Sequence, residues 1–407
     1  MRLLRLRLEN FRNYVRLDEP LPPGAVLLVG GNAEGKTNLL EAVYYFATLT
    51  SFRARSDREL LNFDAPVDGY PVVGRLVAEF QREDERRAHK MEIRLILDAN
   101  GEGERLRREV LIDGVRQKRL GDALGMFNAV LFLPDMLTVV TGAPEERRRY
   151  LDMVLSQAER NYAGRLVEYR QAVTQRNALL KRLAEQGGDE GQLDFWDERV
   201  ARLGAALMAA RGRALEELSA RARRAHWALT RQRENLHLRY HPAYIPDNDE
   251  EKRLLEADEA SLVARTSPEE LAAGMRRALA RRRREDIARG VTTLGPHRDD
   301  FRFLNDRRDL GLYGSRGQVR TAMLALKMAE MEWLKERTGF RPVLLLDEIL
   351  AELDAARRDD LQAHLAQSEQ VLLTTTDYAL FRPEFLVSSQ VWRLEGGVVL
   401  PEKQALP

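Results

Sequence analysis

The stretch VLLVGGNAEGKTNLLEAVYYFA, Val26 to Ala47, constrains this chain more than any other. An apolar run ends at Val29, a glycine-rich turn follows, and apolar residues then recur at helical spacing. Strand, loop and helix in that order around G-x-x-x-x-G-K-[ST] specify a P-loop rather than a plain strand-to-helix turn. Its glycines let successive backbone N–H groups point at phosphate, and the helix N-terminus adds partial positive charge. The expected nucleotide contacts are Gly30, Asn32, Ala33, Glu34, Gly35, Lys36, Thr37 and Asn38. Lys36 reaches the β and γ oxygens of ATP, and the Thr37 hydroxyl ligates Mg²⁺.

A second segment supplies the remaining nucleotide chemistry. In RPVLLLDEIL, Arg341 to Leu350, a buried apolar strand ends in two carboxylates. This is a Walker B pattern, in which Asp347 is the metal-side carboxylate and Glu348 polarises the attacking water. Lys36, Asp347 and Glu348 are therefore the expected catalytic residues, and Thr37 and Asp347 the metal ligands. Acidic residues after a strand also cap helices, and the upstream P-loop decides between the two.

A chain of 407 residues exceeds one comfortable core, so two lobes are expected. The absence of cysteine excludes disulfides, thiolate zinc sites and thiol catalysis. The start, MRLLRLRLENF, is charged at every second or third position, and no apolar stretch approaches a membrane span. A cytoplasmic protein without a membrane partner is expected. The 65 basic and 64 acidic residues nearly cancel, so any nucleic-acid surface must come from arrangement.

RLLRLRLENFRNYVRL alternates as a hairpin, and VVGRLVAEF, KMEIRLIL and REVLIDGVRQ with its Asp113-Gly114 turn continue as antiparallel strands. From Pro144 the period is helical, broken by EQGGDEGQ and resumed from Asp194 to Thr230. Ser267 and Pro268 are the expected N-cap and first residue of a further helix that ends near Gly290. The fold class is thus α/β, an ATPase head with a mixed sheet and an antiparallel β subdomain, interrupted by a helical lobe. The expected boundaries are 1–140 for the first part of the head, 141–290 for the lobe and 291–407 for the rest of the head.

SRGQVRTAMLALKMAEMEWL places Ser315, Arg316, Gly317 and Gln318 before a helical run, similar to the S-G-G-Q signature of ABC-type ATPases. AELDAARR resembles their D-loop, with Asp354 as its acidic residue. Where ABC ATPases commonly carry a histidine, LLTTTDY has Thr376. In that class the signature contacts nucleotide held by the partner, which implies an ATP-dependent homodimer. Alone, Ser315 reads more readily as a helix cap.

Seven motifs then run along the chain in order: LENFRNY, GKTNLLEAVYY, SFRARSDRELL, GAPEERRRYLD, TLGPHRDDF, GSRGQVRTAMLALKMAE and DEILAELDAARR. Together they resemble the RecF family of bacterial recombination mediators, relatives of the SMC-type ATPases. The resemblance implies an ABC-type head, ATP-dependent dimerisation and slow hydrolysis. It further implies binding to double-stranded, gapped or junction DNA, partnership with RecR and RecO, and promotion of RecA loading in repair and at stalled forks. Arg53, Arg55, Arg281 and Arg282 are the candidate DNA contacts.

The chain also departs from the pattern. Ala33 stands where the family has glycine, so that peptide takes negative φ or accepts strain. Arg316 replaces a signature glycine or glutamine. No glutamine lies between Lys118 and Gln157, which leaves the Q-loop position near Pro134 and Asp135 unassigned. His237 and His241 share a strand face without a third metal ligand, and His297 and Arg298 have no role beyond the motif. A transporter ATPase subunit and a nucleotide-dependent scaffold are the alternative functions. The insertion between Lys36 and Asp347 disfavours the first.

Overall fold

The computed structural model describes residues 1–65, 71–83, 85–100, 103–245, 263–365 and 368–401. Its strands are β1 (Arg2–Phe11), β2 (Tyr14–Pro20), β3 (Gly24–Val29), β4 (Val72–Gln81), β5 (Ala88–Asn100), β6 (Gly103–Ile112), β7 (Val115–Arg116) and β8 (Ala129–Phe132). They continue with β9 (Leu236–His241), β10 (Asp300–Asn305), β11 (Arg308–Asp309), β12 (Val343–Asp347), β13 (Gln370–Thr375), β14 (Gln390–Glu395) and β15 (Val398–Pro401). Two compact units result, Met1–Asp135 with Leu334–Pro407, and Met136–Trp333.

The first unit holds two six-stranded sheets. One has the order β2-β1-β4-β5-β6-β7 and is antiparallel throughout. In β1 Leu3, Leu6 and Leu8 share a buried face, while Arg5 and Arg7 on the other face reach Asp18 of β2 at 2.6 and 3.1 Å. The β6–β7 turn puts both Asp113 (φ 50°) and Gly114 (φ 82°) in the left-handed region that matches the twist of its strands.

The other sheet has the order β15-β14-β3-β13-β12-β8, parallel except for β15. Its central strands carry buried apolar runs, Val26–Leu28 in β3, Val371–Leu373 in β13 and Val343–Leu346 in β12, as parallel strands covered on both faces do. Helix Lys36–Thr48 touches β8, β12 and β13 of this sheet and β4 of the other. Its residues from Leu39 to Thr48 are all buried, the pattern of a helix enclosed on every side.

The second unit is mainly helical, with helices Pro144–Ala158, Tyr162–Gln186, Leu193–Leu229, Pro268–Arg281 and Arg283–Arg289. The helical run from Pro144 is broken at Asn161, whose φ is 68°. Ser267 and Glu270 form the reciprocal bonds of a capping box. The next run ends on Gly290 at φ 63°, with an interruption at Arg282.

Both unit boundaries differ from the expected ones. The head was expected to resume at 291, yet residues 291–333 belong to the second unit. The cause is pairing: β10 is hydrogen-bonded to β9, with Phe301 opposite Tyr240 and Phe303 opposite Leu238. The same pairing places His237 and His241 opposite Leu304 and Asp300.

Two motifs that carried no chemistry in the sequence meet inside this unit. Arg147 of GAPEERRRYLD forms two bonds to Asp300 of TLGPHRDDF, at 2.6 and 3.0 Å, and Arg148 donates to the Asp299 carbonyl at 2.7 Å. The Asp299 carboxylate accepts from Arg211 at 3.1 Å, from the Ala243 N–H at 2.8 Å and from Tyr240. Arg211 reaches Asp152 at 2.8 Å. His297 Nε2–H donates to the Thr292 carbonyl at 3.0 Å, which leaves Nδ1 to accept the Tyr169 hydroxyl at 2.6 Å. Burial holds the His297 pKa below its ordinary value. These charges are satisfied by one another, as buried charges must be.

Candidate nucleotide site

The P-loop follows β3 and the Walker B pair ends β12, with β13 between them in the sheet. The carboxyl ends of three adjacent parallel strands therefore converge, which is where open α/β sheets bind ligands. A cleft of about 640 Å³ lies there, lined by 31–38 of the P-loop and helix start, Phe52, Arg53, 133–135, Asp347 and Glu348.

Two glycines are required by what surrounds them. A Cβ on Gly30 would lie 2.5 Å from the Leu394 carbonyl oxygen. Gly35 has φ 100°, and a Cβ there would approach the Asn13 side chain to 2.6 Å. The Tyr14 hydroxyl, whose pKa burial pushes up, donates to the Gly35 carbonyl at 2.9 Å. Asn38 donates to Asn13 at 2.8 Å, and the Glu34 carboxylate accepts the Gly396 N–H. Ala33 has φ 67°, so of the two outcomes open to it the loop takes the strained one.

Lys36 is 5% exposed, and its ammonium donates to the Gly30 and Gly31 carbonyls at 2.8 and 2.9 Å and lies 3.5 Å from Glu348 Oε1. The Thr37 hydroxyl lies 3.0 Å from each Asp347 carboxylate oxygen. Among the described residues no group of three or more His, Asp or Glu is arranged to hold a metal. The hydroxyl of Thr37 and the carboxylate of Asp347 are hard oxygen donors of the kind Mg²⁺ takes, so these residues fit that ion.

Pro134 and Asp135 do line the cleft, at the position left without a glutamine. Arg53, a candidate DNA contact, is placed in the cleft wall. The turn that carries it is anchored from below. Ser51 Oγ accepts the Arg53 and Ala54 N–H groups at 2.9 and 2.7 Å and donates to Glu41 at 2.5 Å, and Arg12 grips the fully buried Glu41 with two bonds of 2.8 Å. Neither Ser51 nor Glu41 had been singled out, although GKTNLLEAVYY places a carboxylate within an apolar helix.

Other expected site residues are outside the cleft lining. Ser315 caps helix Arg316–Thr338: its Oγ accepts the Gln318 N–H at 3.3 Å and its N–H donates to Gln318 Oε1 at 3.1 Å. Asp354 accepts the Arg357 N–H at 3.0 Å, the main cause of its lowered pKa, at the start of helix Ala355–Leu365. Thr376 is exposed just past β13. Instead Thr374, which sequence reading passed over, touches both carboxylate positions: it donates to Asp347 Oδ1 at 2.7 Å and accepts the Glu348 N–H at 3.0 Å. Arg55, Arg281 and Arg282 are exposed.

The family model described as the RecF/RecN/SMC N terminal domain matches residues 2–387. The chain is 39% identical over 408 residues to the DNA replication and repair protein RecF of Herpetosiphon aurantiacus, covering 98% of this chain and 100% of that one. It is 40% identical over 407 residues to the protein of that name from Thermomicrobium roseum, covering 97% and 98%. A solved structure described as the recombination mediator protein RecF with ATP in the RecFOR pathway superposes with a TM-score of 0.83 at 28% identity, over 98% of this chain and 97% of that one. With a family model spanning most of the chain, full-length relatives and a P-loop cleft in the matching fold, this chain belongs to the RecF family.

Proposed function

We propose that this chain is an ATP-gated DNA-binding protein of recombinational repair and replication, and a slow ATPase. The observation that carries it is the joining of Thr37 to Asp347 at 3.0 Å and of Lys36 to Glu348 at 3.5 Å in one cleft. The relatives' names and the ATP-bound neighbour support the same assignment. Lys36 neutralises phosphate charge and Glu348 takes the proton of the attacking water, while Thr37 and Asp347 would hold Mg²⁺, which would supply charge stabilisation.

In this proposal Ser315, Gln318 and Asp354 act across an interface between two copies, so that ATP drives dimerisation. The start of helix Arg316–Thr338 supports this role, because residues 315–317 are exposed there and the partial positive charge of a helix N-terminus suits an anionic partner. The dimer binds gapped or junction DNA, works with RecR and RecO, and helps load RecA in the cytoplasm. Among the described residues no helix is long and apolar enough to cross a membrane.

Sedimentation with ATP and gapped DNA tests the proposal. Lys36→Ala should lose ATP binding and ATP-driven association. Ser315→Arg should bind ATP as a monomer yet fail to dimerise. A Ser315→Arg protein that still dimerises on ATP removes Ser315 from the interface.

A further inference from the structure

Thr374 lies on β13 opposite Asp347 of β12, in the strand that separates the P-loop strand from the Walker B strand. It is buried, and both hydrogen-bonding capacities of its hydroxyl are engaged: the proton on Asp347 Oδ1 at 2.7 Å and a lone pair on the Glu348 N–H at 3.0 Å. Glu348 itself has φ 50° and ψ 17°, a left-handed conformation that a non-glycine residue keeps only where its surroundings impose it. That kink sets the direction in which the Glu348 side chain leaves the strand, toward Lys36.

One hydroxyl thus orients the metal-side carboxylate through its proton and the water-side residue through its lone pair. From this geometry we infer that Thr374 is the positioning residue coupling Mg²⁺ capture at Asp347 to the placement of Glu348. The inference rests on the nucleotide-site proposal above and extends it to a residue behind the cleft lining. Bonds made to a metal-ligating carboxylate from behind are worth about 10- to 100-fold in metal affinity or activity. Valine matches threonine in shape and lacks both bonds, whereas serine keeps both.

The test uses the full chain with Thr374→Val and Thr374→Ser. A fluorescent ATP analogue is titrated in EDTA and then against rising Mg²⁺, with thermal melting of each protein alongside. Thr374→Val should bind nucleotide in EDTA within about twofold of the wild type. Its Mg²⁺ midpoint should rise about 10- to 100-fold, with a parallel fall in turnover, and Thr374→Ser should restore both. An unchanged Mg²⁺ midpoint in Thr374→Val overturns the inference. So does a loss of EDTA binding and melting temperature as large as the loss of Mg²⁺ response, because packing alone would then account for it. If the wild type binds no nucleotide under either condition, the site assignment fails, and this inference fails with it.

Discussion

Arg147 and Asp300, 153 positions apart, are joined by two guanidinium–carboxylate bonds of 2.6 and 3.0 Å. Arg147 is 1% exposed, and removing it leaves Asp300, 14% exposed, with Arg302 at 2.7 Å as its remaining ion-pair partner. Arg147→Ala is expected to destabilise the protein by about 1.5–3 kcal/mol, measured by chemical denaturation. Arg147→Lys should recover little of that, since an ammonium cannot supply the parallel pair of bonds.

Glu348→Gln keeps the shape of the side chain and its backbone bond to Thr374 but removes the proton acceptor. ATP should bind with near-wild-type affinity while steady-state hydrolysis falls about 100-fold or more. Phosphate release and equilibrium nucleotide binding, measured on one preparation, check the two halves separately. Unchanged turnover would place the base elsewhere.

Ala33 occupies the left-handed region at φ 67° inside the P-loop. Glycine relieves that strain, against a larger entropy loss on folding, so Ala33→Gly should stabilise the protein by about 0.5–1 kcal/mol. A rise in melting temperature without nucleotide is the readout, and a fall would mean that the methyl group contributes packing that outweighs the strain.

His297 gives a pH dependence with a definite sign. Burial lowers its pKa from 6.5 in the folded protein, so the unfolded chain binds the extra proton first as pH falls. Its contribution is fully present above 6.5 and is lost as pH drops through that value toward the depressed folded pKa. Denaturation midpoints of the wild type should decline across that window, and His297→Gln should flatten the decline.

Sequence reading located the P-loop and Walker B because each is a local pattern, a strand followed at once by its chemistry. Thr374 escaped it for a topological reason. Nothing local in LLTTTDY says which threonine faces Asp347, and the ABC pattern points instead to Thr376, two residues further along the same strand's exit. Only the order β3-β13-β12 puts Thr374 beside Asp347. The boundary at 290 failed similarly, since a return to strand-like sequence at Asp300 does not reveal that β10 pairs with β9. Ser315 shows the opposite case: the capping role visible in the sequence is present in the structure, and a role across an interface is a matter for the dimer.

Strand β3 is hydrogen-bonded on one side to β13 and on the other to β14, strands drawn from residues 370–395. On the ribosome, the P-loop strand therefore emerges long before either neighbour exists. At roughly 5–20 residues per second, the interval is roughly 20–70 seconds. Throughout that time an apolar strand has both edges open, the condition in which nascent chains pair wrongly or recruit chaperones. A chain cut short before β13 would keep every P-loop residue and still lack the sheet that shapes them, so nonsense fragments of this protein should be insoluble rather than competitors for ATP.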